Sequence, residues 1–234
     1  MKIKTLLLGL AMIFAVGAAG VQAQKKDVTK FMGIPVDGTK TAMIQKLKAK
    51  GFTYNAKLDR LEGEFNGRDS YISVVTNRNK VYRIVVHDAN YTNEANIKVR
   101  FNNLVRQFME NGKYMPFDTE DQMIKDDVDI SYEMSVHQKR FEASFYQSTI
   151  DDLDTTGMYK MAKQSYLDYL KEAKDTVYSE EEYIDGYYLG AMIRLRMEYM
   201  EKKLVWFMIT ELYGQYGIVL YYDNVYNQSN GEDL

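Results

Sequence analysis

The sequence predicts an α+β protein in which antiparallel strands and amphipathic helices share one core. Three observations support this class. Residues 61–88 read as three short strands joined by tight turns, residues 94–110 carry an apolar stripe at helical spacing, and residues 204–223 read as a strand hairpin. The order of these elements suggests two helix-plus-antiparallel-β-meander modules around a shared core, as a pseudo-repeat over 31–112 and 113–234.

The chain begins with a segment typical of a secretory signal peptide. Lys2 and Lys4 precede an apolar run over residues 6–19, and Ala23 ends a stretch of small residues suited to cleavage. A membrane anchor is the alternative, but the run is shorter than the roughly 20 residues needed to cross a bilayer. We therefore predict cleavage after Ala23 and a single mature domain over 24–234, exported to the periplasm or the extracellular space.

Composition excludes several kinds of site and partner. The 234 residues contain no cysteine, so the chain has no disulfide, thiolate ligand or cysteine nucleophile. Removing the signal segment takes Lys2 and Lys4 from the 30 basic residues, which leaves a formal charge of −5 against 33 acidic residues. This mildly acidic, interspersed charge argues against nucleic acid as a partner, because that function needs a concentrated basic face. No stretch of the mature chain is long and apolar enough to be a membrane helix.

Two helices are predicted in the first half. Thr39 can cap a first helix of about eleven residues, Gly51 can end it, and Phe52 is an apolar contact just beyond it. Thr92 is the predicted cap of a longer helix that ends at Asn111. The apolar side chains of this second helix recur at i, i+4, i+7, i+8, i+11 and i+12: Ile97, Phe101, Leu104, Val105, Phe108 and Met109.

The meander lies between these helices. In residues 61–65 apolar and acidic residues alternate, as expected for a strand with one buried face. The dipeptide Asn66-Gly67 is a strong signal for a type I′ hairpin turn. Residues 71–76 and 81–86 are rich in β-branched side chains and complete three antiparallel strands.

The second half is predicted from weaker patterns. Residues 130–146 alternate on both sides of a polar turn at 137–139, which predicts a hairpin, and residues 158–173 suggest a helix. The acidic stretch 180–184 is a good helix start, whereas alternation over 191–200 is strand spacing. We predict a short helical turn followed by a strand, with helix as the alternative, and then the final hairpin, which turns at 213–214.

No arrangement of catalytic or metal-binding residues stands out. The chain has two histidines, His87 and His137, which could form a metal site with Asp88 or Glu133 if their sheets met. The acidic run 118–129 could gather Ca²⁺, but it lacks the order of an EF-hand loop, and a solvated loop explains it better. Nucleophile elbows, phosphate loops and H-E-x-x-H pairs are absent. We predict no catalytic residue, no cofactor and no metal site.

Aromatic residues give the one candidate binding surface. The chain has 20 tyrosines and one tryptophan, and most of the tyrosines suit half-buried strand faces. Rigid aromatic rings with polar tips also suit protein partners and sugars. We predict a binding surface on the C-terminal hairpin around Trp206, Tyr221 and Tyr222.

The segment after the signal peptide resembles a known group. Residues 31–39, FMGIPVDGT, and residues 47–52, LKAKGF, resemble the opening of a group of uncharacterised secreted proteins of Bacteroidetes. The resemblance implies export and a module loosely similar to β-lactamase inhibitor protein and to BamE-type outer-membrane assembly lipoproteins. It implies no activity, because the group has no assigned catalytic residues. The chain departs from the BamE-type proteins in lacking a lipidated cysteine.

Together these observations predict an exported, non-catalytic binding or interaction module of the cell envelope, with an envelope protein or a glycan as its partner. The alternative is a glycan-acting hydrolase or a carbohydrate-binding protein. A concave site with acids converging near His87 or His137 would favour the hydrolase, whereas a flat aromatic face would favour a binding module.

Overall fold

A computed structural model describes residues 27–117, 122–147, 155–172 and 178–229, and it confirms the α+β class. The predicted signal peptide and its cleavage site lie outside the described residues. The helices are α1 (Lys40–Lys48), α2 (Glu94–Glu110), α3 (Ile130–Val136), α4 (Thr155–Glu172) and α5 (Glu180–Lys202). The strands are β1 (Lys30–Phe31), β2 (Ile34–Pro35), β3 (Thr53–Asn55), β4 (Arg60–Phe65), β5 (Arg68–Asn77), β6 (Lys80–Asp88), β7 (Tyr114–Pro116), β8 (Glu142–Gln147), β9 (Leu204–Leu212) and β10 (Gln215–Asp223).

Contacts divide the chain into two compact units. In the described residues, the sheet unit comprises 27–147 and 200–229 and holds every strand together with α1, α2 and α3. The helical unit comprises 155–172 and 178–199, which form α4 and most of α5. Across the parts of the chain that are described, we find no helix with the length and hydrophobicity to span a bilayer.

Eight strands form one antiparallel sheet in the order β3-β4-β5-β6-β10-β9-β8-β7. The predicted meander is confirmed as β4, β5 and β6, and the predicted C-terminal hairpin is confirmed as β9 and β10. The two pieces join where β6 pairs with β10, from His87 opposite Val219 to Arg83 opposite Asp223. This long-range pairing places β6 and β10 at the centre of the sheet.

Tight turns of the predicted kind connect the strands. Asn66 and Gly67 have φ values of 52° and 73°, and Tyr213 and Gly214 have values of 52° and 75°. Positive φ at both central residues is the requirement of a type I′ turn, whose twist matches that of the flanking strands. The turn between β5 and β6 has the same form without glycine.

Helices α1 and α2 cover one face of the sheet. Thr39 caps α1 as predicted, and its side chain accepts a hydrogen bond from the Ala42 N–H at 3.3 Å. The predicted cap of α2 was wrong by one residue, because Asn93 rather than Thr92 accepts the Asn96 N–H, at 3.0 Å. The apolar stripes of both helices and the inward side chains of the strands form one core, which includes Leu47, Phe101, Leu104, Ile72, Ile84, Phe207 and Leu220.

The prediction of a hairpin over 130–146 was wrong in its first half. Asp129 accepts the Tyr132 N–H at 2.8 Å and starts helix α3, in which Ile130 is buried and Met134 packs against the core. In an alternating sequence every second residue is apolar, so apolar residues also occur at positions i and i+4. The same sequence can therefore form a helix with one apolar face. The second half is strand β8, but it pairs with β9 and β7.

The predicted strand over 191–200 was also wrong, because α5 continues to Lys202. Ser179 and Glu182 form a capping box: the Ser179 Oγ accepts the Glu182 N–H, and the Glu182 carboxylate accepts the Ser179 N–H, both at 3.2 Å. The predicted helix start at 180–184 is confirmed, and the alternation that follows it lies within the same helix. The third strand beside the C-terminal hairpin is therefore β8.

Tyrosines form the core of the helical unit. Ala162 of α4 and Tyr183 and Tyr187 of α5 are buried together. Tyr166 and Tyr169 pack against them, with ring centroids 5.3 and 5.1 Å from that of Tyr183. The dense tyrosines near residue 185 are therefore packing residues in this unit.

Gly63 of β4 provides a test of core packing. A Cβ atom at this position would lie 2.7 Å from Cδ1 of Phe52, which is only 4% exposed. We expect Gly63→Ala to lower the free energy of unfolding by roughly 1–2 kcal/mol, because overpacking a filled core strains it. Urea denaturation measures this change.

Gly112→Ala is the matched control for this test, since a Cβ atom there meets nothing within 4 Å. We expect it to change stability by less than about 0.5 kcal/mol. Equal effects of the two substitutions would contradict the packing of Phe52 on Gly63.

Candidate binding surface on the sheet

The face of the sheet opposite α1 and α2 carries Trp206 together with several tyrosine and arginine side chains, and we call it the outer face. Strand alternation assigns it, because neighbouring residues on a strand point to opposite sides. The pairing register places these residues in rows across the central strands: Glu62, Tyr71, His87, Val219, Met208 and Glu142 in one row, and Ser73, Val85, Tyr221, Trp206 and Ser144 in the next.

Trp206 and Tyr221 form the centre of the outer face. They are cross-strand partners on β9 and β10, and their rings stack with centroids 4.0 Å apart and planes 13° apart. Both are half-buried, so part of each ring stays accessible. The structure thus brings together two of the three predicted site residues.

A buried carboxylate holds this pair in place. The Trp206 Nε1–H donates to Oδ2 of Asp223 at 3.0 Å, and the Arg83 guanidinium donates to both oxygens of the same carboxylate, at 2.5 and 2.8 Å. The Asp223 side chain is 4% exposed. The Arg83 guanidinium carbon also lies 5.0 Å from the centre of the Tyr221 ring. One carboxylate therefore fixes both the tryptophan and the arginine.

Two more arginines lie over outer-face rings. The Arg60 guanidinium carbon is 3.5 Å from the centre of the Tyr71 ring, and that of Arg140 is 5.9 Å from Trp206. Such contacts are attractive because the face of an aromatic ring is electron-rich. Each arginine over the outer face also pairs with a carboxylate: Arg60 with Glu62 at 2.9 Å, Arg83 with Asp223, and Arg140 with Glu142 at 2.8 Å.

The environment of the aromatic pair shifts the pKa values of Arg83 and Tyr221. The hydrogen bond to Asp223 is the main cause that raises the pKa of Arg83. Burial raises the pKa of the Tyr221 hydroxyl, although Arg83 and Arg140 act in the opposite direction. Tyr221 therefore stays neutral at physiological pH, and its hydroxyl keeps its proton.

Tyr222 does not belong to this surface, so the expectation that all three residues share an exposed face was wrong. It follows Tyr221 on the same strand and therefore points to the core, where it is 4% exposed. Its ring packs edge-on against Phe31 at 4.9 Å. Burial, together with a hydrogen bond to Tyr114, raises the pKa of its hydroxyl well above the ordinary value.

Tyr222 lines a cleft on the helical side of the sheet. Here the β4–β5 turn approaches helix α2, and two adjoining cavities of about 500 and 360 Å³ share Asn66, Leu104 and Gln107. Neither of these two cavities is lined by a histidine, and Glu64 is the one carboxylate between them.

The two histidines are in different settings. His87 lies on the outer face between Tyr71 and Val219, whereas its neighbour Asp88 points to the core and binds Arg100 of α2. His137 follows α3, and its Nδ1 lies 3.2 Å from the Glu133 carboxylate. Among the described residues no three potential metal ligands come together.

Sequence reasoning missed the arginines and Asp223. The residues of the pair Arg83 and Asp223 are 140 positions apart, and no local motif marks either one. Alternation could have separated Tyr221 from Tyr222, since adjacent strand residues never share a face.

The role of Asp223 gives a stability test. The substitution Asp223→Asn replaces the carboxylate by a neutral amide and leaves the charge of the Arg83 guanidinium uncompensated. We therefore expect the free energy of unfolding to fall by roughly 2 kcal/mol. Glu142→Gln removes the same charge from the exposed Arg140 pair and should change stability by less than about 0.5 kcal/mol. Urea titrations of the two variants measure this difference, and equal losses would contradict the central role of Asp223.

His87 gives a pH test. Burial lowers its pKa below the ordinary value of 6.5, so the unfolded chain binds the proton more readily than the folded one. Stability should therefore fall as the pH drops below about 6.5, down to the pKa of the folded state. We expect wild type to lose more stability than His87→Gln between pH 7.5 and 5.5, measured by urea unfolding. Identical pH slopes would contradict this assignment.

No family model, no curated protein and no solved structure matches this chain. The resemblance of residues 31–52 to secreted Bacteroidetes proteins therefore stays a prediction.

Proposed function

We propose that this chain is an exported, non-catalytic binding module of the cell envelope that binds a protein partner through the outer face of its sheet. One observation carries the proposal. Trp206 and Tyr221 are stacked on the outer face with part of each ring accessible, and Asp223 and Arg83 hold them there.

The composition of the outer face suits protein recognition. Tryptophan, tyrosine and arginine supply most of the residues whose truncation costs a protein interface the most binding energy. Side chains that are already fixed lose little conformational entropy on binding. The Trp206 ring, stacked on Tyr221 and hydrogen-bonded to Asp223, meets both conditions.

The charges favour a protein over a polyanion. Arg60, Arg83 and Arg140 each pair with a carboxylate, so within the described part of the chain the outer face carries no run of uncompensated positive charge. Nucleic acids and anionic membranes bind through such uncompensated charge. A partner with apolar and hydrogen-bonding groups fits better.

The amino-terminal sequence supports export. Two lysines, an apolar run and a small-residue motif ending at Ala23 are the parts of a cleavable signal peptide. The absence of cysteine from the chain is compatible with an oxidising compartment, since folding there needs no thiol to be kept reduced. The partner is therefore expected in the periplasm or outside the cell.

The hydrolase alternative has less support. Glycoside hydrolysis uses two carboxylates roughly 5–9 Å apart across a cleft. The two cavities beside α2 have one carboxylate between them, that of Glu64. The geometry therefore favours binding over cleavage.

The double variant Trp206→Ala/Tyr221→Ala tests the proposal. The mature chain, residues 24–234, is crosslinked in envelope extract, and the captured partner is identified by mass spectrometry, purified and titrated by calorimetry. We expect the double variant to bind this partner about thirtyfold more weakly, since truncation of interface hot spots costs 2 kcal/mol or more.

Tyr213→Ala is the matched control. Tyr213 is 95% exposed in the β9–β10 turn and takes no part in the stack. Its substitution should leave the affinity unchanged, and circular dichroism should show that every variant is folded. Full binding by a folded double variant would refute the outer face as the binding surface.

A further inference from the structure

The two-lobed cleft beside α2 lies on the opposite side of the sheet from the outer face, and its chemistry differs. The larger lobe, of about 500 Å³, is mainly polar and has no carboxylate among the described residues that line it, whereas the smaller lobe, of about 360 Å³, contains Glu64 and the aromatic residues Phe65, Phe108, Tyr114 and Tyr222. Each volume lies in the range of ligand sites, which is roughly 300–1,000 Å³. The cleft can therefore hold a ligand with a polar end and an apolar end.

A hydrogen bond fixes the boundary between the lobes. Asn66, at the tip of the β4–β5 turn, donates from Nδ2 to Oε1 of Gln107 on α2 at 2.8 Å. The type I′ turn holds the Asn66 backbone at positive φ, which fixes the position from which this side chain extends. The two N–H donors of Gln107 Nε2 and the carbonyl oxygen of the Asn66 side chain have further hydrogen-bonding capacity for a ligand.

Helix α2 supplies the polar wall of the larger lobe. Asn96, Arg100, Asn103 and Gln107 follow one another at i, i+4, i+7 and i+11, which places them in one stripe along the helix. Carboxamides can donate and accept at the same time, as the hydroxyl groups of a sugar ring require. A stripe of such groups above an aromatic lobe matches the two kinds of surface on a sugar, its hydroxyl edge and its C–H face.

Charge distinguishes the larger lobe further. Arg100 is neutralised, because its guanidinium forms two hydrogen bonds with the buried carboxylate of Asp88. Arg68 begins β5 on the face that also carries Ile72, is half-buried and lines the lobe. Among the described residues Arg68 forms no ion pair. The lobe therefore holds one uncompensated guanidinium, which would form a charge-assisted, bidentate contact with a carboxylate.

We infer that this cleft binds a short acidic glycan, with a hexuronate carboxylate on Arg68, ring hydroxyls on the carboxamides of α2 and a neighbouring sugar ring against the aromatic lobe. The ligand chemistry follows from the amide stripe, the unpaired guanidinium and the adjacent aromatic rings. This inference is independent of the outer face and of its protein partner.

The test measures glycan affinity by calorimetry on the mature chain, residues 24–234. The acidic probes are trigalacturonate and a hyaluronan tetrasaccharide, and the neutral probes are the methyl ester of the trimer and cellotetraose. We expect at least one acidic probe to bind about tenfold more tightly than its neutral counterpart, the gain typical of one charge-assisted contact. This preference should weaken as salt is raised from 50 to 500 mM, because the contact is partly exposed.

Two variants and a control locate the site. Arg68→Gln should reduce the affinity for the acidic probe to that of its neutral counterpart, whereas Asn103→Ala should weaken both kinds of probe. Lys46→Gln removes an exposed positive charge on α1, outside the cleft, and should bind like wild type. Asn103 is exposed, so its variant remains informative if Arg68→Gln fails to fold.

Three results would overturn the inference. The first is that wild type shows no preference for either acidic probe, and the second is that folded Arg68→Gln binds the acidic probe as tightly as wild type. The third is that a peptide with a free carboxylate, such as Ala-Ala-Phe, displaces the glycan from the cleft, which would identify the ligand as a peptide terminus. Trp206→Ala/Tyr221→Ala should keep glycan binding, so failure of this site and failure of the outer-face proposal are distinguishable.

Discussion

The carboxylate of Asp88 ties together the three central elements of the sheet unit. Asp88 is the last residue of β6. Its carboxylate accepts two hydrogen bonds from Arg100 of α2 and a third from the backbone N–H of Ile218 on β10, at 3.0 Å. Asp88 is 6% exposed, and a buried charge is tolerated only when it is paired and hydrogen-bonded, as it is here. The alternative registers of β6 against β10 would leave this charge without its partners, so the contact favours one alignment.

Both proposed binding surfaces depend on that alignment. On the outer face, the β6–β10 register sets Arg83 opposite Asp223, and the hairpin sets Tyr221 opposite Trp206. On the helical side, Arg100 anchors α2 so that its stripe of amides faces the β4–β5 turn. One side of the sheet thus presents neutralised arginines on aromatic rings, and the other presents Arg68, which forms no ion pair among the described residues, beside amides. For this reason we propose different ligands for the two surfaces.

The elements that were predicted correctly are those marked by clear local sequence signals, such as a turn dipeptide, a helix cap or an apolar stripe. Asn66-Gly67 marked the meander, Thr39 marked α1, and the apolar stripe from Ile97 marked α2. The two errors of secondary structure share one cause, because a short alternating run fits a helix as well as a strand. Residues 130–136 and 191–200 both alternate, and both are helical. The caps Asp129 and Ser179 were the stronger signals, since each satisfies backbone donors at a helix start.

The sequence by itself determined the class of fold, the turns and the identity of the aromatic candidates Trp206 and Tyr221, because these depend on neighbours along the chain. Only the tertiary structure decided which of Tyr221 and Tyr222 faces the core, that Asp223 holds Trp206 and Arg83, and that Arg68 enters a cleft without a carboxylate partner among the described residues. These facts depend on pairings between distant segments, above all β6 with β10. Their register is set by burial and by buried charges such as Asp88, which no local pattern in the chain records.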